Sequence, residues 1–308
     1  MRIVFAGTPA VAIPSLEAVA AWHEVVAVVT REDAPLGRKR VLTPSPVAEA
    51  AERLGLPVVK ANRLGDEVTE RIRTLAPDLG VVVAYGGLVR EPLLSLPRLG
   101  WVNLHFSLLP RWRGAAPVQH AVIAGDTETG AAVFHLVPEL DAGDVYAELR
   151  RPIGADETAG ELLTALAAEG AILLADTVDA LAAGTARAVA QEGEVVLAPK
   201  LTIDDARLDL TQPAETVYAR LRGVTPEPGA FALLGEERFK IHAARRTEHE
   251  TLLEPGTVEA RAGRILVGTG TDPLELVAVQ PAGKRSMAAA DWLRGASQAA
   301  GEAGVVLS

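Results

Sequence analysis

The chain has 308 residues, of which 49% are hydrophobic and 23% are charged, and its formal net charge is -10. That length suits two domains or one large one, and the composition is ordinary for a globular protein with a buried core. The absence of cysteine excludes disulfides, thiolate zinc sites and cysteine nucleophiles, and the acidic balance disfavours a general nucleic-acid binder because its long-range field repels phosphates.

The amino-terminal stretch RIVFAGTPAVAIPSLE is apolar, but Pro9 and Pro14 interrupt it and Glu17 ends it. This pattern favours a buried first strand over a signal peptide. No apolar run along the chain approaches the ~20 residues that a membrane-spanning helix needs. We therefore expect a cytoplasmic protein that does not associate with membranes.

Strand and helix patterns alternate along the first half of the chain. Apolar, β-branched runs predict strands at residues 2–7, 24–30, 56–61, 78–87, 100–106, 129–137 and 144–153. Amphipathic stretches predict helices at residues 8–21, 44–55, 65–77 and 157–184. Thr8 and Pro9 are typical of the start of the first helix, and Gly55 of the end of the second. This order predicts a Rossmann-like, largely parallel sheet with helices on both faces.

The second half of the chain changes character after residues with little pattern. A hairpin is expected at residues 231–244 around Gly235, and further short strands are expected at 256–270 and 274–280. Helices are predicted near residues 214–222 and 288–297. We expect a first domain at residues 1–188, a linker at 189–205, and a small OB-like β-barrel at 206–308.

Two polar side chains occupy the strand predicted at residues 100–106. Side chains alternate along a strand, so Asn103 and His105 share a face at a carboxyl end, where ligands bind in open α/β sheets. An Asn amide can donate to an oxygen that gains negative charge, and a His can accept a proton near neutral pH. Together they suit acyl transfer, and the alternative is that both only satisfy backbone groups.

The loop after this strand is rigid and basic. Pro110 and Gly114 limit its shape, and Arg111 and Arg113 bring two positive charges to its rim. Either these charges border a ligand, or the loop is a solvated basic turn.

A second loop, at residues 138–146, carries Glu139, Asp141 and Asp144. A carboxylate near His105 would orient the imidazole and stabilise its protonated form. Spacing along the chain does not show which carboxylate reaches His105, and loop carboxylates can simply be hydrated.

A third stretch, at residues 81–92, leaves its strand through Gly86 and Gly87. Glycines let a backbone approach a flat ligand closely, although a tight strand exit would also explain them. The sequence FAGTP near the start of the chain is not the G-x-G-x-x-G fingerprint, which argues against a nicotinamide-dependent enzyme.

Metal and hydrolase motifs are missing from the sequence. Neither H-E-x-x-H nor a close cluster of His and Asp residues occurs among the six histidines, which are His23, His105, His120, His135, His242 and His249. No G-x-S-x-G elbow is present, which disfavours a Ser-His-Asp hydrolase. We therefore expect no metal cofactor.

The stretch NLHFSLLPRWRGAAPVQ, followed by LDAGD, resembles the folate-dependent formyltransferases. The family's Asn-x-His strand motif and the Asp of its D-x-G-D loop match Asn103, His105 and Asp141. The segments SLLPRWRGAAP, PLGRKRVLTPSPV, TPEPGAF and QPAGKRSM resemble, more narrowly, the members that formylate methionyl-initiator tRNA. The likeness covers nearly the whole chain, the C-terminal domain included.

The resemblance implies a reaction and a role for each motif residue. The formyl group of 10-formyltetrahydrofolate would pass to the free α-amine of methionyl-initiator tRNA. Asn103 would hold the oxyanion, His105 would accept the amine proton or stabilise the tetrahedral intermediate, and Asp141 would fix His105 and relay protons. Whether His105 or Asp141 is the base stays open. We expect a monomer whose partners are the folate co-substrate and the tRNA.

The resemblance also implies binding residues for both substrates. The folate would lie against residues in three segments, namely Ala84, Tyr85, Gly86, Gly87, Leu88, Arg90, Ser107, Leu108, Leu109, Pro110, Val137 and Leu140. Basic residues would face the tRNA and reconcile it with the acidic chain, namely Arg38, Lys39, Arg40, Lys240, Arg245, Arg246, Lys284 and Arg285. For each cation of the second domain the alternative is an ordinary solvated face.

Three other functions remain as alternatives. The acceptor could be another amine, such as glycinamide ribonucleotide or a nucleotide-linked amino sugar. The enzyme could hydrolyse the same donor and release formate. The β domain could instead make the chain a non-catalytic RNA-binding module.

Overall fold

The computed structural model describes residues 1–37, 39–247, 250–300 and 304–308. The chain divides into two compact units. The first consists of residues 1–117, 128–152 and 163–199, and the second of residues 118–127, 153–162 and 200–308. Every helix in the described part of the chain is too short or too polar to span a membrane.

The first unit is built on a seven-stranded sheet. The strands up to residue 199 are β1 Arg2–Gly7, β2 Glu24–Thr30, β3 Ala34–Leu36, β4 Val41–Thr43, β5 Val58–Lys60, β6 Leu79–Val83, β7 Trp101–His105, β8 Arg113–Gly114, β9 Glu128–His135, β10 Val145–Pro152 and β11 Leu197–Ala198. The helices up to that point are α1 Ile13–Trp22, α2 Pro46–Arg53, α3 Asp66–Thr74, α4 Pro117–Ile123 and α5 Ala159–Ala183.

The order across this sheet is β10-β9-β7-β6-β1-β2-β5. Strands β5, β2, β1, β6 and β7 are parallel, whereas β9 and β10 are antiparallel to their neighbours. Buried apolar residues fill β1, β2 and β6 almost without interruption, as expected where both faces of a parallel sheet are covered. The predicted Rossmann-like α/β class is thereby confirmed.

Local chemistry explains where the first helices begin and end. The Ser45 hydroxyl accepts a hydrogen bond from the amide of Ala48 and so caps α2, and Gly55 follows with a φ of +68°. The sequence predicts Thr8 as the cap of the first helix, and this prediction is wrong. The Thr8 hydroxyl donates to the Tyr85 carbonyl across 3.0 Å, and α1 follows a short 3₁₀ turn at Ala10–Ala12.

The second unit contains an antiparallel sheet. Its strands are β12 Phe231–Leu234, β13 Glu237–Arg246, β14 Thr257–Arg261, β15 Arg264–Val267, β16 Leu274–Gln280, β17 Met287–Ala288 and β18 Val305–Val306, and its helices include α6 Ala214–Gly223 and α7 Ala289–Ala300. The strand order is β12-β13-β16-β15-β14-β18, with β17 beside β16. Leu233 and Ser308 then exchange two backbone hydrogen bonds of 2.6 and 2.9 Å. These bonds join β12 to the segment after β18, so the sheet closes on itself as a barrel.

The interior of this barrel is apolar. Phe239 and Ile241 point inward from β13, and the ring of Phe239 lies 4.3 Å from that of Trp292 on α7. Gly235 turns the predicted hairpin between β12 and β13 with a φ of +64°, where a side chain would be strained. The predicted C-terminal β domain is therefore confirmed.

The stretch that the sequence predicts as a linker carries regular pairings. Val189 exchanges two backbone hydrogen bonds with Val145, and β11 pairs in parallel with β8. Within this stretch, residues 189–199 belong to the first unit and residues 200–205 to the second.

Candidate active site

The three residues of the predicted catalytic motif lie close together in the first unit. Asn103 and His105 stand two residues apart on β7, and the Asp141 loop follows β9, which pairs with β7. His105 Nδ1 lies 3.9 Å from Asp141 Oδ2, and both side chains are largely buried. Asn103 and Asp141 both line one cavity. Because side chains alternate along a strand, Asn103 and His105 lie on the same face of β7, although His105 is not part of the wall of this cavity.

The tautomer of His105 follows from its neighbour. Nε2 lies 2.9 Å from the carbonyl oxygen of Trp112. A carbonyl only accepts, so neutral His105 carries its proton on Nε2 and leaves Nδ1 as a lone pair. Burial lowers the pKa of His105, against the opposing effects of the Asp141 carboxylate and the Trp112 hydrogen bond. The imidazole is therefore a neutral group at physiological pH.

The backbone around Asp141 is tightly constrained. Asp141 has a φ of +46°, in the left-handed region, and its Oδ2 accepts a hydrogen bond of 2.8 Å from the amide of Gly114. A Cβ atom on Gly143 would lie 1.7 Å from the carbonyl oxygen of His135. Only glycine fits there, because the chain passes directly against the backbone of His135 two residues after Asp141.

A residue from the stretch predicted as a linker joins this loop to the basic one. Gln191 donates from Nε2 to the carbonyl oxygens of Asp141 and Gly143, at 2.8 Å each. Its Oε1 accepts from Nε and Nη2 of Arg113, at 3.1 and 2.6 Å. Gln191 was not among the predicted site residues, and its partners lie 48 to 78 positions away, so no local sequence pattern could have identified it.

A cavity of about 410 Å³ opens beside Asn103. Its wall is mostly apolar and comprises Val82, Gly87, Leu88, Val89, Arg90, Glu91, Leu94, Asn103, Leu136, Val137, Pro138, Glu139, Leu140 and Asp141. A volume of this size, apolar walls and a few converging polar groups are typical of small-molecule sites. The cavity brings the predicted Asn and Asp to the edge of a space that can admit a ligand.

The cavity wall includes five of the twelve residues predicted to bind the folate, namely Gly87, Leu88, Arg90, Val137 and Leu140. The other seven do not form part of this wall: Ala84, Tyr85, Gly86, Ser107, Leu108, Leu109 and Pro110.

Existing contacts account for several of these seven. Tyr85 is 1% exposed, and its hydroxyl donates to the Ala61 carbonyl across 2.7 Å inside the core. The Gly86 carbonyl accepts a hydrogen bond from Arg31. Ser107 is fully buried and donates to the Arg111 carbonyl at 2.7 Å, and Leu109 packs in a small buried cluster. These residues are engaged in the core or in contacts within the loops, and they do not line the cavity.

The cations predicted to face tRNA are exposed wherever the structure describes them. Arg38 lies outside the described residues, and the exposed seven are Lys39, Arg40, Lys240, Arg245, Arg246, Lys284 and Arg285. In the second unit Lys240 lies opposite Gln280, whose side chain donates to the Lys284 carbonyl at 2.9 Å. Three of these cations, Lys240, Lys284 and Arg285, therefore lie at the same end of the β13–β16 pair.

Within residues 1–37, 39–247, 250–300 and 304–308, no three or more His, Asp or Glu side chains are grouped as a metal site would require.

Sequence comparisons match this architecture in both halves. Residues 1–178 match the family described as formyl transferase, and residues 200–297 match the family described as formyl transferase, C-terminal domain. A methionyl-tRNA formyltransferase of Leifsonia xyli subsp. xyli is 75% identical over 296 residues, which cover 96% of this chain and 98% of that relative. A methionyl-tRNA formyltransferase of Clavibacter sepedonicus is 60% identical over 96% of this chain and 97% of its own.

The fold also matches a more distant solved structure. An N-formyltransferase from Helicobacter canadensis, in complex with folinic acid and dTDP-3-aminofucose, aligns with a TM-score of 0.67. The alignment covers 91% of this chain and 98% of that one at 15% identity. At this identity the likeness concerns the fold alone.

Proposed function

The chain belongs to the methionyl-tRNA formyltransferase family, and from this premise we propose that it transfers the formyl group of 10-formyltetrahydrofolate to the α-amino group of methionyl-initiator tRNA. The product would be N-formylmethionyl-tRNA for translation initiation, made in the cytoplasm. The observation that carries the proposal is the 75% identity over 96% of the chain. The cluster of Asn103, His105 and Asp141 beside a cavity supports it with suitable chemistry.

In the proposed reaction, the amine nitrogen attacks the formyl carbon and a new C–N bond forms. The bond from that carbon to N10 of the folate then breaks. One proton leaves the amine and one is gained by N10, so the reaction consumes neither oxidant nor reductant. The protein has to stabilise an oxyanion and move a proton.

Asn103 stabilises the oxyanion in this scheme, because its amide is at the cavity wall and can donate to the oxygen as it becomes negative. His105 accepts the amine proton at Nδ1, since Nε2 is engaged by the Trp112 carbonyl. Asp141 then stabilises the imidazolium through space across 3.9 Å. The Gly114 amide keeps the carboxylate in place for that role.

The folate is proposed to enter the cavity of about 410 Å³. Apolar side chains of its wall, such as Leu88, Leu94 and Val137, would cover the flat faces of the pterin. Backbone groups in the wall suit the pterin edge, which presents both donors and acceptors. No metal takes part in this scheme.

The tRNA is proposed to bind through local positive charge on a chain with a net charge of -10. The exposed Lys240, Lys284 and Arg285 form one such group in the second unit. Lys39 and Arg40, in the turn of the β3–β4 hairpin, are further candidates from the first unit. Basic residues of this kind bind phosphates by releasing counterions.

Other acceptors, such as glycinamide ribonucleotide or an amino sugar nucleotide, were the alternative for the same chemistry. The high identity to relatives named for methionyl-tRNA favours the tRNA acceptor. A hydrolase that releases formate would share the donor site, but it would not account for the exposed cations of the second unit.

One experiment tests the proposal. The purified protein is incubated with labelled 10-formyltetrahydrofolate and either charged initiator tRNA, uncharged initiator tRNA, an amino sugar nucleotide or buffer alone. We expect label only on the methionyl group of the charged tRNA. Label on the amino sugar nucleotide, or free labelled formate as the main product in buffer, would reject the proposed acceptor.

A further inference from the structure

Residues 189–198 lie against two loops of the first unit, the Asp141 loop and the loop that carries Arg113. Val189 exchanges backbone hydrogen bonds of 2.8 and 2.9 Å with Val145, just after the Asp141 loop. Val196 accepts a backbone hydrogen bond of 2.9 Å from Arg113, and β11 pairs with β8. We call residues 189–198 the strap. It crosses from the Asp141 loop to the loop that carries Arg113, and Gln191 lies near its start.

The side chain of Gln191 uses all of its hydrogen-bonding capacity in this place. The two N–H groups of Nε2 have two carbonyl partners, Asp141 and Gly143, and Oε1 has two N–H partners from Arg113. An amide offers two donors and one oxygen with two lone pairs, so the match is complete. A half-buried glutamine side chain held by four hydrogen bonds of 2.6 to 3.1 Å has lost the rotational freedom that it would keep in water.

The contacts of Gln191 are made to the backbone that carries Asp141. Asp141 is a non-glycine residue at a φ of +46°, a conformation that costs free energy and persists only when its surroundings impose it. The Gln191 bond to the Asp141 carbonyl and the Gly114 bond to its carboxylate hold the residue from two sides. Loss of the first bond would free this peptide to rotate.

The same glutamine also fixes the opposite loop through Arg113. Arg113 lies between Trp112, whose carbonyl sets the His105 tautomer, and Gly114, whose amide holds the Asp141 carboxylate. Gln191 therefore links the two segments whose separation sets the 3.9 Å between His105 and Asp141.

We propose that Gln191 is a positioning residue for formyl transfer, which sets the place of the Asp141 carboxylate relative to His105 through the strap. This inference rests on the proposed function, because the reaction is its readout. Gln191 acts through Asp141 and touches neither the formyl carbon nor the amine. Misplacement of a catalytic group by about 1 Å can cost about a hundredfold in rate.

Two variants of Gln191 separate its donors from its acceptor. Gln191→Ala removes all four hydrogen bonds. Gln191→Glu keeps the shape and an acceptor for Arg113, but it replaces the two donors that hold the Asp141 and Gly143 carbonyls. Glu192→Ala, at the exposed neighbouring position of the strap, is the matched control.

We expect kcat to fall about 10- to 100-fold in both Gln191 variants and to stay within about twofold of wild type in Glu192→Ala. Circular dichroism and thermal unfolding verify folding, and Gln191→Glu carries the test if Gln191→Ala does not fold. A kcat within about twofold of wild type in the folded variants overturns the inference.

A double-mutant cycle separates positioning from a general structural effect. In an Asp141→Asn background the carboxylate is already gone, so loss of Gln191 should change kcat much less than it does in the wild type. A loss at least about fivefold larger in the wild-type background supports the inference, and any smaller difference overturns it. Failure of the proposed function is distinct, because wild-type protein would then fail to formylate methionyl-tRNA at all.

Discussion

His105 Nδ1 and Asp141 Oδ2 face each other across 3.9 Å. This distance is too long for a direct hydrogen bond but short enough for the carboxylate charge to favour an imidazolium. Burial works in the opposite direction and dominates, so the pKa of His105 is lowered. The pair is therefore arranged to hold a neutral base beside the charge that would stabilise its protonated form.

The lowered pKa of His105 gives a prediction about stability. The unfolded state takes up a proton near pH 6.5, whereas the folded state does so only at lower pH. His105 therefore destabilises the folded protein as pH falls below about 6.5, and the loss stops growing below the folded pKa. We expect urea unfolding to show the free energy of unfolding of wild type falling faster than that of His105→Gln between about pH 7.5 and 5. Parallel curves for the two proteins would show that His105 has the same pKa in the folded and in the unfolded state.

Asn103→Ala should reduce turnover without unfolding the protein. Asn103 lines the cavity, and removal of one oxyanion donor typically costs ~3–4 kcal/mol of barrier, which is a hundredfold or more in kcat. Asn103→Asp keeps the shape but places an acceptor at the oxyanion, so its loss should be at least as large. Steady-state kinetics with methionyl-tRNA measure both variants. Near-normal turnover of folded Asn103→Ala would remove the residue from the mechanism.

Tyr85 and Leu88 should separate core packing from folate binding. Tyr85→Phe removes a buried hydrogen bond to the Ala61 carbonyl, so we expect a loss of about 1 kcal/mol in stability and an unchanged KM for folate. Leu88 is 63% exposed and lines the cavity. Leu88→Ala should raise that KM by about three- to tenfold, with stability within about 0.5 kcal/mol of wild type. The opposite pattern would place the folate on the Tyr85 side.

Gly143→Ala should disturb both stability and turnover. The added methyl group would meet the His135 carbonyl oxygen at 1.7 Å, so backbone must move two residues from Asp141. We expect the free energy of unfolding to fall by at least about 2 kcal/mol and kcat to fall as well. Gly295→Ala is the control: its Cβ meets nothing within 4 Å, and in helix α7 the change should stabilise by about 0.5–1 kcal/mol. Equal effects of the two substitutions would contradict the geometry.

The predicted tRNA contacts can be tested through salt dependence. Arg38→Ala and Lys240→Ala should each raise the KM for methionyl-tRNA and leave the KM for folate unchanged. Each should also reduce the magnitude of the negative slope of log affinity against log salt concentration by about one unit. Arg261, which is paired with Glu259 at 2.8 Å, provides the control variant Arg261→Ala. A KM change for folate alone would move Arg38 to the donor site.

The sequence carried much of the fold because its signals were local. Strand alternation predicted that Asn103 and His105 share a face of their strand, and Gly55 follows the end of α2 as its conformational freedom predicts. Thr8 does not cap the first helix because a 3₁₀ turn at Ala10–Ala12 comes first and α1 begins only at Ile13. The hydroxyl of Thr8 instead donates to the carbonyl of Tyr85.

The remaining parts of the site depend on contacts between distant segments. Only the resemblance to a family selected Asp141 from three loop carboxylates, and the 3.9 Å to His105 is a property of the folded chain. Gln191 gave no signal, since its partners come from two other loops. Tyr85 follows the end of β6, where a side chain can face either a ligand or the core. Its hydroxyl donates to the Ala61 carbonyl in the core, a contact 24 positions away that the local sequence does not indicate.

Residues 305–308 close the C-terminal barrel, because Val305 and Val306 pair with β14 and Ser308 exchanges hydrogen bonds with Leu233. If residues 305–308 were removed, the backbones of β12 and β14 would lose their partners there. Two free strand edges are templates for pairing with another chain, so the shortened protein would tend to self-associate. An affinity tag is for the same reason better attached through a flexible spacer that leaves these pairings intact.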